Sequence, residues 1–207
     1  LNTGIAEEKQ LRLHLFGVEF ESGDGFRLKA TRQYEDLDRD FEVSNGIDIL
    51  AGRYTNWEYA IEGRTAQKRR VSLEGSLMTG GFWDGDRNQV SLTATVRPTP
   101  GLQISGNLQR NDVTLPRGDF QTNLVRLGGG WDASPWVSFI GNVQYDNVSG
   151  IVGLFARTRW ILRPGNEIYF VYTHNWQNLG AGLLEDDRDL ITLSRGGSMK
   201  LNYSYRF

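Results

Sequence analysis

Apolar and polar residues alternate with a period of two along most of this chain. "FRLKATRQY" sets Phe26, Leu28 and Ala30 against Arg27, Lys29 and Thr31, and "RVSLEGSL" sets Val71, Leu73 and Leu77 against Ser72, Glu74 and Ser76. "QVSLTATVR", "LQISGNLQ" and "VSFIGNVQY" repeat the pattern, the last broken only by Ile140. Successive side chains of a β-strand point to opposite faces, so each stretch predicts a strand with one apolar and one polar side. No window sustains the i, i+3, i+4, i+7 spacing of an amphipathic helix. About eleven strands follow, near residues 10–21, 26–40, 53–64, 69–81, 87–97, 102–112, 120–132, 136–146, 151–162, 167–177 and 191–207.

The connections between them are of two kinds, in alternation. "SGDG" (22–25), "TAQK" (65–68), "PTPG" (98–101), "DASP" (132–135) and "RPGN" (163–166) are mostly tight-turn compositions. "FEVSNGIDILAG" (41–52), "FWDGDR" (82–87), "VTLPRGD" (113–119) and "NLGAGLLEDDRD" (178–189) read as longer loops, with the short "NVSG" (147–150) as the exception. Tight turns at one end and longer loops at the other are the pattern of a transmembrane meander. The tryptophans fit two belts at membrane interfaces: Trp131, Trp136 and Trp160 near the short turns, Trp57, Trp83 and Trp176 near the loops, with Tyr205 and Phe207 joining the first belt.

Composition changes this picture little. Mean hydropathy is −0.45 and no run approaches the length of a membrane-spanning helix, but alternating strands average to such a value even when one face meets lipid. Among 207 residues, 23 basic and 25 acidic side chains leave a formal charge of −2, which gives no basis for nucleic-acid binding through bulk charge. The absence of cysteine excludes a disulfide framework and any cysteine nucleophile or metal ligand.

The chain ends in "MKLNYSYRF", another alternating strand. It resembles the carboxy-terminal signal by which the bacterial barrel-assembly machinery recognises outer-membrane barrels, carried here by Lys200, Tyr205 and Phe207, with Asn202 where that pattern prefers glycine. The fold expected is therefore all-β: a transmembrane, antiparallel, up-and-down outer-membrane barrel with about 11–12 strands visible. An odd count is unusual for a bacterial barrel. It leads to the expectation that residues 1–207 form one barrel domain, the C-terminal part of a longer protein.

"FRLKATRQYEDLDRDFEV", "AGRYTNWEYAIEGRTAQKRRVSLEGS", "GGFWDGDRNQVSL", "LQRNDVTLPRGDFQTNLVRL", "VQYDNVSG" and "TRWILRPGNEIYFVYTHNW" together resemble the C-terminal region of an uncharacterised outer-membrane family, domain-of-unknown-function family 5916. The resemblance is most specific in "NDVTLPRGDF" and "RPGNEIYFVY". It implies a preceding β-sandwich similar to carbohydrate-binding modules, and it implies no reaction.

Catalytic constellations are weak. His174 near Asn175 and Asn178 suggests an outer-membrane phospholipase, but the nearest serine along the chain is Ser194. Asp36, Asp38 and Asp40, and Glu185, Asp186 and Asp187, are acidic loop clusters with no histidine beside them in sequence; His14 is distant, and "DLDRDF" lacks the glycine turn of a dedicated calcium loop. No catalytic residue, cofactor or metal is assigned.

The inward phase of the strands is more informative. It puts Arg27, Lys29, Glu74, Arg97, Arg157, Arg159, Lys200 and Arg206 on the lumen side, with Glu167 and Asp146 as candidate partners for the arginine pair. The expected location is the outer membrane of a Gram-negative bacterium. The expected role is solute passage, with a carbohydrate-derived ligand as the class that the resemblance implies. The alternative is a structural barrel docking a surface or periplasmic protein, and an outer-membrane hydrolase comes third. Outer-membrane lipid and the barrel-assembly machinery are the remaining partners expected.

Overall fold

The computed structural model describes residues 8–179 and 190–204. Within them lie thirteen strands: β1 (Glu8–Glu19), β2 (Gly25–Leu37), β3 (Phe41–Ser44), β4 (Ile47–Ile49), β5 (Gly52–Arg64), β6 (Val71–Phe82), β7 (Gly85–Val96), β8 (Leu102–Leu115), β9 (Gly118–Ser134), β10 (Val137–Asp146), β11 (Ile151–Arg163), β12 (Asn166–Asn178) and β13 (Leu190–Asn202). Eleven form one sheet in chain order, while β3 and β4 pair only with each other. The pairings β1–β2, β2–β5, β3–β4, β5–β6, β9–β10, β10–β11, β11–β12 and β12–β13 are antiparallel. This is the all-β, antiparallel, up-and-down architecture that the alternation predicts.

Two expected loops prove to be hairpin turns. Only Trp83 and Asp84 separate β6 from β7, and only Pro116 and Arg117 separate β8 from β9. Asp86, Arg87, Thr114 and Asp119 look like loop residues by composition but continue the strands. A third departure lies in the segment expected as one long loop, which holds the β3–β4 hairpin. Its Asn45-Gly46 turn sits between Phe41/Val43 and Ile47/Ile49, with Gly46 at φ 71°. That dipeptide between alternating apolar residues is a strong hairpin signal.

The chain divides into two compact units. The first comprises Leu1–Gln67, Leu73–Leu92 and Gln109–Thr122. Its register aligns Leu13, Ala30 and Tyr59 in one cross-strand row, and Phe16, Leu28 and Ile61 in another. The opposite face carries Lys29, Thr31, Glu58, Ala60 and Glu62. On that second face the β3–β4 hairpin builds the only buried apolar cluster among the described residues: Ile47, Ile49, Val113 and Leu115, with Leu37, Phe41, Val43, Tyr54, Phe82, Trp83 and Phe120 around it. Ile49 is 0% exposed. The Tyr54 hydroxyl donates to the Leu50 carbonyl at 2.8 Å.

The second unit comprises Lys68–Ser72, Thr93–Leu108 and Asn123–Phe207. Val125/Tyr145, Leu127/Val143 and Trp131/Phe139 face each other across β9 and β10 on one side. Arg126/Gln144, Gly128/Asn142, Gly130/Ile140 and Asp132/Ser138 do so on the other. The same phase runs on through β11, β12 and β13.

Burial inverts the arrangement of a water-soluble protein. Beyond the four cap residues, the buried apolar side chains among those described are Ala30 and Ala66 alone. Trp57, Tyr59, Ile61, Leu73, Leu77, Val90 and Leu92 in the first unit are exposed, as are Leu108, Leu127, Trp131, Val143, Trp160, Phe170, Met199 and Leu201 in the second. Isolated exposed hydrophobes are ordinary, whereas contiguous apolar ladders on one face require a cover.

Candidate functional site: a basic cleft

The polar faces of the two units differ in how their charges are satisfied. In the first unit three cations of this face are paired: Lys29 Nζ meets Glu62 Oε1 at 2.6 Å, Arg64 Nη2 meets Glu19 Oε1 at 2.8 Å, and Arg87 pairs with Glu58, which is 6% exposed, whereas Arg12 donates to the neutral Gln10 Oε1 at 2.9 Å. Glu74 stands opposite Arg64 across β5 and β6. Arg27 lies on the same face, across from Glu62. Lys29–Glu62 links neighbouring strands, whereas Arg64–Glu19 and Arg87–Glu58 each reach across an intervening strand.

The second unit contains a cleft of about 910 Å³ on its polar face. Four arginines line it (Arg70, Arg97, Arg126 and Arg157), together with a single carboxylate, Asp132. Gly128 and Gly130 supply its floor, because they occupy β9 positions in the same phase as Arg126 and leave the sheet bare there. A side chain at either would fill the space between the arginines.

Three of these arginines are held by neutral groups. Arg97 Nη1 donates to Ser72 Oγ at 3.2 Å, and Arg126 Nε donates to Gln144 Oε1 at 3.0 Å. The Arg157 guanidinium lies 5.8 Å from the centre of the Tyr169 ring. None of the three forms an ion pair among the described residues. Arg159 is the contrast: its Nε donates to Glu167 Oε2 at 3.3 Å, and Tyr169 donates its hydroxyl to the same carboxylate. Of the sequence-adjacent pair, Arg159 is therefore neutralised and Arg157 is not. Lys200 lies across from Tyr169 on this face.

Arg206 falls outside the described residues, as do Tyr205, Phe207, Glu185, Asp186 and Asp187. Arg70 and Arg126 were not anticipated. The phase of "LVRLGGGW" could have revealed Arg126, but three consecutive glycines erase the alternation that marks the face.

Trp57, Trp131, Trp160 and Trp176 project from the apolar faces, and Trp136 is exposed in the β9–β10 turn. Trp83 departs from the expected belt. It sits in the β6–β7 turn at φ 52°, donates its indole N–H to Glu35 Oε2 at 2.6 Å, and packs edge-on against Phe41 at 5.2 Å. A positive φ costs a bulky residue about 1–3 kcal/mol. The hydrogen bond and the ring contacts offset it, so Trp83 serves the cap.

The hydrolase constellation does not assemble. His174 lies on the apolar face between the Tyr172 hydroxyl (2.9 Å) and Thr192 Oγ1 (3.0 Å), stacked 3.8 Å from Trp176. Asn175 faces the other way and donates to Ser194 Oγ at 3.0 Å. Asp40 accepts from the Ala51 amide at 2.6 Å, Asp36 meets Arg53 Nε at 3.1 Å, and His14 lies across from Lys29. Among the described residues no three His, Asp or Glu side chains gather as a metal site.

No family model matches the chain, and no curated protein matches it. Solved structures do. The anion-selective porin from Comamonas acidovorans aligns at TM-score 0.48 and 15% identity, over 86% of this chain and 57% of that one. The chain thus spans 57% of that porin's length. The KdgM porin in complex with disordered oligogalacturonate aligns at TM-score 0.37 and 10% identity over 96% of each chain. The NanC porin aligns at 0.38 and 9%, over 96% of this chain and 93% of that one. At these levels of similarity function has to be read from the chain's own residues.

Proposed function

We propose that the sheet is wall of an outer-membrane β-barrel through which small anionic solutes pass, with no enzymatic role. The membrane part rests on the apolar ladders: they are exposed, they alternate with polar positions along most of each strand, and lipid is the cover that suits such faces. Trp57, Trp131, Trp136, Trp160 and Trp176 are then the interface aromatics.

The solute class rests on one observation, the unpaired arginines of the basic cleft. Arg97, Arg126 and Arg157 converge on a glycine floor with one carboxylate in the lining. Fixed cations along a water-filled wall raise the local concentration of anions. A unit charge about 8 Å away is worth roughly 0.5 kcal/mol at the dielectric constant of water, so removing three lowers the local anion concentration by about tenfold and raises that of cations by a similar factor.

A second reading, a barrel that docks a protein partner, is favoured by the packed β3–β4 cap, which leaves Glu42, Asn45 and Asp48 exposed. It predicts a folded protein with no conductance.

The test is the reversal potential of the full chain in planar bilayers across a potassium chloride gradient at low salt. Wild type prefers chloride, and Arg97→Gln/Arg126→Gln/Arg157→Gln lowers the chloride-to-potassium ratio by about tenfold or more. Acidic oligosaccharides block the current more strongly than neutral ones of equal length. Cation preference in the wild type, or no conductance from a folded, heat-modifiable barrel, contradicts the reading.

A further inference from the structure

On the apolar face of the first unit, the cross-strand rows change character towards the segment that carries β3 and β4. Phe16/Leu28/Ile61 and Leu13/Ala30/Tyr59 are apolar rows. The next row is Leu11/Arg32/Trp57, and the one beyond it is Lys9/Tyr34/Thr55. Rows two residues apart are separated by about 7 Å along the strands, so two cations enter the lipid-facing side within about 14 Å of fully apolar rows.

Both cations rest on aromatic rings. Arg32 Cζ lies 6.0 Å from the centre of Trp57, and Lys9 Nζ lies 5.6 Å from the centre of Tyr34. A hollow of about 310 Å³ opens between them, lined by Lys9, Leu11, Arg32, Tyr34 and Thr55. Neither cation forms an ion pair among the described residues. The nearest carboxylate on this face, Asp36 in the following row, is engaged by Arg53 Nε at 3.1 Å and accepts from the Tyr34 hydroxyl at 3.4 Å. Among the described residues of β1, β2 and β5 this face therefore carries Lys9, Arg32 and Arg53 near its β3–β4 end against the one acid Asp36.

We propose that Lys9 and Arg32 form a binding site for the phosphate of a membrane lipid headgroup, with the acyl chains lying on the apolar rows. The inference rests on the membrane reading above. The occupant follows from placement and charge. A ligand here must be apolar where it meets Leu11, Leu13 and Tyr59, and anionic one to two rows further on. Ring stacking holds both side chains at that level. Arg32 and Lys9 extend polar ends from apolar stems, as basic residues do at an interface. The long connection between β2 and β5 lies at this end, and long connections of a meander barrel lie on its outer side, which places the lipid in the outer leaflet.

The full chain is refolded into phosphatidylcholine vesicles containing either a diphosphorylated lipid A or its dephosphorylated form, and lipid retained after mild detergent extraction is read by native mass spectrometry. Wild type retains the phosphorylated lipid by roughly tenfold or more over the other, at about a fivefold factor per basic side chain. Lys9→Gln/Arg32→Gln abolishes that preference while heat-modifiable mobility is unchanged. Should the double variant misfold, the wild-type salt titration decides: the preference declines as salt rises, and a salt-independent preference contradicts the site. Equal retention by wild type and variant, or displacement by inorganic phosphate alone, overturns the lipid site while leaving the membrane reading intact. Failure of the wild type to insert overturns both.

Discussion

Glu58 and Arg87 show how single residues set the character of the polar face. The Glu58 carboxylate is 6% exposed and is neutralised by Arg87, whose guanidinium also lies 4.5 Å from the centre of Phe82. Removing one partner of such a pair strands a buried charge and costs about 3–5 kcal/mol. Arg87→Met strands the Glu58 carboxylate and is expected to lower the urea midpoint of the refolded protein accordingly, and adding Glu58→Gln to recover most of the loss. Equal midpoints for wild type and Arg87→Met would show the pair to be dispensable. At this scale the alternation gives the face: Arg27, Lys29, Glu74, Arg97, Arg157, Arg159 and Lys200 lie on the polar faces. What alternation cannot give is the partner across the strand. It therefore could not tell that Arg159 is neutralised by Glu167 while Arg157 rests on Tyr169. Nor could it give the orientation of Trp83, because a turn residue at positive φ belongs to neither face.

At the scale of elements, the eleven strands of the sheet were legible because each is long and has one consistently apolar side. Their ends were not, since charged residues that continue a paired strand look like loop residues in composition. The connections at Trp83-Asp84 and Pro116-Arg117 are short for that reason. The β3–β4 hairpin was readable in its Asn45-Gly46 turn and passed for a loop because its strands are only four and three residues long. It is held by a small core of its own: Ile47 and Ile49 against Val113 and Leu115. The hairpin pairs with no strand of the sheet, so loss of that core releases it locally. Ile49→Ala removes a fully buried side chain and is expected to weaken the cap by about 2–5 kcal/mol. Amide exchange measured by mass spectrometry should rise in residues 41–49 and stay unchanged in β10–β12. A uniform rise across the sheet would show that the cap is part of one cooperative unit.

At the scale of the whole molecule, the decisive fact is where apolar surface lies. Among the described residues the buried apolar side chains are two alanines and the four members of the cap cluster. A chain of 207 residues folded in water normally buries most of its large apolar side chains in a core. Here the apolar ladders are exposed, and the polar faces hold ion pairs in the first unit and the basic cleft in the second. The proposed setting, lipid on one face and water on the other, would reconcile that distribution with stability. The chain contains no cysteine, so single cysteines report cleanly on each position. The most direct measurement places one at a time at Asn142, Val143, Gln144 and Tyr145 of β10, refolds the protein into phospholipid vesicles, and compares labelling by a water-soluble maleimide with quenching of an attached fluorophore by brominated lipid chains. Membrane burial of the apolar face predicts maleimide labelling at 142 and 144 and lipid quenching at 143 and 145. Equal labelling at all four positions, without quenching, would contradict it.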